Sequence, residues 1–424
     1  MIVVKIGGKI MFNNVYPREK YLKKIRPFYD SDIIKVITGI RRCGKSFILK
    51  AIMNELIDRG IPKTQIIYIP LDRRGYKNIK TSEELETKIE SMLGDDENYY
   101  LFIDEVQNVF GFESVIHAYA EEGYSIFLTG SNSYLLSDEI STKLTGRYLN
   151  FETFTLDFSE YLEMKRFFKK KIDQDIYVEF EEYILNGGFP KTIEFDDIQA
   201  RQTYTRGIIS EIFEKDVKTR KRISNVPVYE RVQSFLLNNY SAPFSLSNLL
   251  ECLEKEGYKT KATTVRGYIE DLKKAKIIYE CNRFDLKSKK SLRREQKYYL
   301  SDLAIYFAMN TNNRLCYGPS LENMVYLYLA SQDYQISIGK IGKLECDFIT
   351  RNTSGDYAYI QVIYTMQGED IKATERIKER EYRPFRKIRD GYPRYIVSLD
   401  RFRDQQEGVH HINAIDLFLG KEKI

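Results

Sequence analysis

From residue 31 to about residue 150, short apolar runs alternate with stretches whose apolar positions recur at helical spacing. Ile33-Ile34-Lys35-Val36-Ile37-Thr38, Gln65-Ile66-Ile67-Tyr68-Ile69, Tyr99-Tyr100-Leu101-Phe102-Ile103-Asp104 and Ser125-Ile126-Phe127-Leu128-Thr129 are predicted strands. Residues 46–59, 81–93 and 114–122 are predicted helices, the second opened by the cap-like Thr81-Ser82-Glu83-Glu84. Strands that are apolar at nearly every position are buried on both faces, and helices between them supply the cover. The pattern therefore predicts a parallel sheet in an α/β nucleotide-binding architecture.

After Phe154 the strand pattern fades. Residues 155–225 read as mainly helical, broken by Asn186-Gly187-Gly188-Phe189-Pro190, a turn signal. Helical stretches at 228–239, 245–256 and 263–275 are then followed by two β-like runs at 277–284 and 297–300, which is winged-helix order. The remainder mixes a helix over 320–331, strands around 345–347 and 359–363, a charged helix over 371–389, a strand over 394–399 and a short helix over 414–419. The expected organisation is an N-terminal segment (1–30), an α/β core (31–154), a helical lid or linker (155–225), a winged helix (226–312) and a C-terminal α/β domain (313–424).

Length and composition agree with several domains. The chain has 424 residues, and at roughly 100–200 residues per domain that allows two to four. Lys plus Arg number 66 against 61 Asp plus Glu, a net charge of +5, so local basic segments matter more than the total. No stretch approaches the roughly 18 uninterrupted apolar residues of a membrane span, and residues 1–14 lack a secretory pattern. The five cysteines (Cys43, Cys252, Cys281, Cys316, Cys346) are scattered and never form a CxxC pair, which argues against zinc or a disulfide framework. A reduced, cytoplasmic protein is expected.

The sharpest chemistry lies in Gly39-Ile40-Arg41-Arg42-Cys43-Gly44-Lys45-Ser46, which matches GxxxxGK[ST] at every fixed position between a predicted strand and a predicted helix that Phe47 continues. Glycines let such a loop curl its N–H groups toward phosphate oxygens, and the helix adds its positive end. Lys45 would reach the β- and γ-phosphates and Ser46 would ligate Mg²⁺. Leu101-Phe102-Ile103-Asp104-Glu105 places an acidic pair at a strand's carboxyl end, where open α/β sheets bind ligands. Asp104 would hold the metal shell, and Glu105 would orient or deprotonate the attacking water. Thr129-Gly130-Ser131-Asn132 ends the next strand, with Asn132 and Ser131 favoured as γ-phosphate sensors or water-positioning groups. Arg147 is a candidate to neutralise charge on the transferred phosphoryl group, within the chain or in a neighbouring subunit.

These residues carry a resemblance. GIRRCGKS (39–46), LFIDEVQNV (101–109), FLTGSNSYLL (127–136), LTGRY (144–148), TLDFSEYLE (155–163), NGGFP (186–190), LENMVYLYL (321–329) and ECDFI (345–349), in that order, resemble the AAA+ superfamily of P-loop ATPases. Within it, the chain is similar to the prokaryotic branch whose ATPase domain precedes a C-terminal domain of uncharacterised role. The resemblance runs from about residue 20 to 420. It implies ATP as nucleotide, Mg²⁺ as cofactor, ATP hydrolysis as the reaction and a homo-oligomer as an option.

Two later segments bear on partners. Lys259, Lys261, Thr263, Thr264 and Arg266 mark the third winged-helix stretch as a DNA-recognition helix. The following segment carries Lys287, Lys289, Lys290, Arg293, Arg294 and Lys297 against Asp285 and Glu295, a cationic wing suited to phosphate. A protein partner is the alternative. Glu322, then Glu345-Cys346-Asp347, then Tyr359–Ile363 resemble the PD-(D/E)XK nuclease layout, which implies acidic ligands for Mg²⁺ and a lysine. Here the last element reads Gln361-Val362-Ile363, with no carboxylate and no lysine, unless Lys343 or Lys372 substitutes. A degenerate, non-cleaving domain is expected.

Overall fold

Strands buried at every position fix the architecture of the first part of the chain. In the computed structural model, which describes residues 12–96, 98–130, 146–218, 223, 225–288, 290–310, 317–403 and 405–424, the chain divides into two units, 1–153 and 154–424. The first contains α1 (Glu19–Ile25), β1 (Ile34–Gly39), α2 (Lys45–Asp58), β2 (Ile66–Pro70), α3 (Ser82–Glu90), β3 (Tyr100–Asp104), α4 (Phe112–Glu121), β4 (Ser125–Thr129) and β5 (Tyr148–Thr153). Its strands pair in the order β2-β3-β4-β1-β5, all parallel. Successive side chains leave opposite faces of each strand. Accordingly, Ile67, Ile69, Leu101 and Ile103 pack with Leu85 and Ile89 of α3 and Phe112, Val115 and Ile116 of α4. Tyr68, Tyr100, Phe102 and Phe127 pack on the other face with Leu22 of α1 and Ile48, Leu49 and Ile52 of α2. Phe102 and Phe127 stack with ring centroids 4.5 Å apart.

One cation lies inside this sheet. Lys35 is 0% exposed; its ammonium donates to the carbonyl of Ser31 (2.7 Å) and to Ser125 Oγ (2.8 Å), and lies 4.5 Å from the Phe127 ring centroid. Burial lowers its pKa to about 7, against the opposing pull of Asp30 and Asp32.

The second unit begins with helices: α5 (Phe158–Phe167), α6 (Ile176–Asn186), α7 (Ile198–Ile212), α8 (Val226–Asn238), α9 (Leu246–Lys255) and α10 (Ala262–Lys274). It continues with β6 (Ile278–Asp285), β7 (Lys290–Leu300), α11 (Leu303–Met309), α12 (Tyr317–Ser331), β8 (Gln335–Ile341), β9 (Leu344–Arg351), β10 (Tyr357–Val362), α13 (Ile371–Tyr382), β11 (Arg394–Ser398), β12 (Val409–Asn413) and α14 (Ala414–Phe418). Among the described residues its sheet runs β12-β11-β10-β9-β8-β6-β7. The β6–β7 hairpin, expected as the free wing of a separate domain, is therefore part of this sheet: Arg283, Phe284 and Asp285 pair in parallel with Ile338, Gly339 and Lys340 of β8. The charged helix also ends early, at Tyr382; Pro384, two residues on, has no N–H with which to continue the helical hydrogen bonds.

The Asn186–Pro190 turn has a specific job. Gly187 has φ +68°, and a Cβ there would lie 1.8 Å from Asp302 Oδ1. Gly188 N–H donates to Asp302 Oδ2 at 2.8 Å, while its carbonyl accepts from Leu156 N–H at 2.7 Å. Two glycines thus let the turn close on a buried carboxylate that also caps α11 through Ala304 N–H.

Lys35 yields a pH-dependent consequence. Between pH 7 and about 10 the native side chain is mostly neutral while the unfolded one is protonated. The unfolded chain then binds more protons, so stability rises with pH in this window and is flat below it. Urea unfolding of the wild type and Lys35→Met at pH 7 and pH 9 should show the wild type gaining about 1 kcal/mol per pH unit relative to the variant. A constant difference would mean that Lys35 titrates as an ordinary lysine.

Candidate nucleotide-binding site

β1 delivers the chain to the loop at residues 40–44, and three positive φ angles bend it there: Gly39 (139°), Arg42 (70°) and Gly44 (107°). Gly39 is irreplaceable on steric grounds, because a Cβ would stand 2.0 Å from the Thr153 carbonyl oxygen of β5. Gly44 leads directly into α2, whose first residue is Lys45. The Lys45 ammonium lies over the loop, donating to the carbonyls of Gly39 (3.0 Å) and Ile40 (3.2 Å), and the residue is 6% exposed. Loop amides, the α2 N-terminus and this lysine together form an anion-binding cradle. Arg18 braces it from behind, donating to the Cys43 carbonyl at 3.0 Å while lying 4.5 Å from the Tyr21 ring centroid. Of the other loop residues, Cys43 is buried, Ile40 is buried, Arg41 is half-buried and Arg42 is exposed. Phe47, on the first turn of α2, is 50% exposed and carries Lys50 Nζ 4.5 Å from its ring centroid.

The structure brings Ser46 and Asp104 together. Ser46 Oγ donates to Asp104 Oδ1 at 2.9 Å. Asp104 Oδ1 also accepts from Thr129 Oγ1, and Oδ2 accepts from Tyr68 OH at 3.1 Å. Burial raises the pKa of this carboxyl, with Glu105 and Asp72 pushing the same way against the donated hydrogen bonds. The donors are oxygens carrying one buried negative charge, a set that fits Mg²⁺. Glu105 follows in the left-handed region (φ 60°), its N–H bonded to Thr129 Oγ1 (3.0 Å) and its carboxylate to Gln107 Nε2 (2.6 Å). A non-glycine residue held there stores backbone strain of roughly 1–3 kcal/mol, a feature that clusters at functional sites.

Other expected residues fall elsewhere. Arg147 precedes β5, and its carbonyl accepts from Ile34 N–H at the start of β1. At roughly 3.3 Å per strand residue it lies about 17 Å from Gly39, at the opposite edge of the sheet. There it pairs with Glu121 at 2.7 Å. Asn132 and Ser131 lie outside the described residues. The sequence reading missed Tyr68, Thr129 and Gln107 as contacts of the acidic pair. Tyr68 and Thr129 look like ordinary strand residues until the strand order is known, whereas Gln107 is only two residues beyond Glu105.

The second unit gathers another charged cluster. Lys297, expected on the wing facing phosphate, is instead 3% exposed. Its ammonium lies 2.9 Å from Glu322, 2.9 Å from Glu345 and 3.9 Å from Asp347. Tyr299 OH donates to Glu322 at 2.7 Å, Arg283 pairs with Glu345, and Asp347 Oδ2 accepts from Val362 N–H at 2.8 Å. Gln361 meets the cluster only through an acceptor contact of 3.4 Å from Asp347 N–H.

In fold and loop, the first unit resembles a P-loop nucleotide-binding domain of the AAA type. Residues 31–162 match the family described as AAA domain, and residues 177–315 match a family described only as a domain of unknown function, DUF8612. Two full-length relatives are similar. An uncharacterized protein of Haemophilus influenzae is 29% identical over 407 residues, covering 95% of this chain and 98% of that one. An uncharacterized protein of Methanocaldococcus jannaschii is 28% identical over 428 residues, covering 97% and 93%. Among solved structures, a Walker-type ATPase of Pyrococcus abyssi superposes with a TM-score of 0.50 at 18% identity, over 72% of this chain and 99% of that chain, a likeness of fold. Among the described residues, no helix is long and apolar enough to cross a membrane.

The geometry separates two substitutions. Arg147→Ala removes an exposed ion pair and should change stability by less than about 1 kcal/mol, with nucleotide affinity unchanged. Gly39→Ala should lower stability by roughly 1–3 kcal/mol, through the cost of a side chain in that conformation and its clash with β5. Thermal melts and a nucleotide titration of both variants test the assignment.

Proposed function

We propose that the protein binds ATP with Mg²⁺ and hydrolyses it to ADP and phosphate, using the state of the nucleotide to control contact with DNA. The observation that carries the first part is the Ser46–Asp104 contact at 2.9 Å, with Lys45 over the adjoining loop. In this reading the backbone from Gly39 to Gly44 and the Lys45 ammonium hold the phosphates, and Ser46 and Asp104 hold the metal. The metal, when bound, offsets charge on the phosphate oxygens. Glu105 accepts a proton from the water that attacks the γ-phosphorus, and Gln107 fixes its carboxylate through the 2.6 Å hydrogen bond. Thr129 and Tyr68 orient Asp104. Arg147 acts on a neighbouring subunit's nucleotide, and Asn132 is the proposed γ-phosphate sensor.

The DNA part is supported by the surface of α10 and the hairpin. Lys259, Lys261, Thr263 and Arg266 are exposed at the start of the third helix, and Lys287 and Lys290 are exposed near the hairpin tip. Cations at a helix start and a hairpin tip suit a phosphate backbone and groove edge.

Lys45→Ala should abolish nucleotide binding in calorimetry, whereas Glu105→Gln should keep binding and lower turnover by roughly 100-fold or more. Unchanged binding in the first or unchanged turnover in the second would refute the site. For DNA, affinity should fall steeply between about 50 and 200 mM salt, and Lys261→Ala with Arg266→Ala should weaken it and reduce the salt slope. An ATPase rate indifferent to DNA, in a preparation carrying a bound protein, would favour a signalling or scaffold role instead.

A further inference from the structure

The C-terminal sheet collects three carboxylates around one ammonium group. Glu345 and Asp347, two residues apart on β9, share a face, as do Lys297 and Tyr299 on β7; Glu322 reaches the same place from α12. Lys297 Nζ is within 3.9 Å of an oxygen from each carboxylate. The layout of Glu322 and Asp347 implies a divalent metal ion, but the residues do not fit one. A hard dication needs oxygens at about 2.0–2.6 Å, and the point common to these oxygens is taken by the lysine. Gln361 supplies a neutral amide, already accepting from Asp347 N–H, and Ile363 supplies nothing.

We infer that Lys297 is the resident cation of this centre, so the sheet takes no divalent metal ion unless that lysine's charge is removed. Glu322 accepts from both Lys297 and Tyr299. Glu345 is divided between Lys297 and Arg283. Despite the opposing effect of burial, Glu322, Asp347 and Glu345 hold the lysine charged, above its ordinary pKa. A second cation in its place would meet that charge at close range in a poorly solvated setting, where like charges repel strongly. Removing the lysine reverses the balance. The Glu322 and Glu345 oxygens then need to close by less than about 1 Å to reach ligand distance, and the uncompensated carboxylates favour a dication.

The inference is independent of the ATP reading, because every residue involved lies in the second unit. The test counts Mn²⁺ sites by electron paramagnetic resonance on the full chain without nucleotide, so that any ion at Asp104 contributes equally to all variants. Wild type and Asp347→Asn should bind the same number of ions. Lys297→Ala should gain one site, Lys297→Arg none, and Lys297→Ala with Asp347→Asn should lose the gained site. A wild-type site that disappears in Asp347→Asn or Glu322→Gln would overturn the inference, showing the lysine to be a companion of a metal rather than its substitute. So would a folded Lys297→Ala, checked by circular dichroism, that gains nothing. If Lys297→Ala does not fold, the comparison of wild type with Asp347→Asn and Glu322→Gln still decides.

Discussion

Asp104 is a carboxylate buried at the carboxyl edge of a parallel sheet, and its desolvation governs what surrounds it. A carboxyl group that is 3% exposed needs donors or a cation to remain ionised. β2 contributes Tyr68, β4 contributes Thr129 and α2 contributes Ser46, each reaching the same carboxylate from a different element. The strand order makes this convergence possible: β3 lies between β2 and β4. With β4 between β1 and β3, the loop after β1 and the acid after β3 flank one crevice, the usual place for a ligand in an open α/β sheet.

The same edge constrains the backbone. Gly39 packs so closely against β5 that no side chain fits, so the loop's position is tied to the last strand of its own sheet. Arg18, upstream of α1, holds the loop at Cys43, and Asn54 of α2 exchanges hydrogen bonds with the backbone of Phe12. Residues before β1 thus belong physically to the candidate site, although nothing in their composition announces it.

What could be read from the sequence follows from how local each signal is. The phosphate loop and the Asp104-Glu105 pair are contiguous motifs on elements with clear periodicity, and both lie where the pattern places them. Helices α8 to α10 also follow their apolar spacing, within a few residues. Lys297 was misplaced because a charge in a basic run reads as solvated. Its burial depends on Glu322, Glu345 and Asp347, which are 25 or more residues away and meet it only after β6 and β7 join β8. Arg147 lies away from its own chain's loop for a related reason: parallel pairing with β1 sends its end of β5 to the other edge. Tyr68 and Thr129 have no local mark, since a hydroxyl in a strand gains its meaning from the neighbouring strand.

The joined hairpin has a practical corollary for dissecting the molecule. Cutting the chain near residue 312, the boundary expected from the sequence, would strip β6 of its partner strand β8 and leave its backbone amides and carbonyls open along that side. It would also strand Lys297 without Glu322, Glu345 and Asp347, an ammonium buried with no counter-charge. Fragments ending there should therefore clump or misfold for reasons unrelated to either half's activity, and a sound excision must keep residues 278–300 with the sheet they complete.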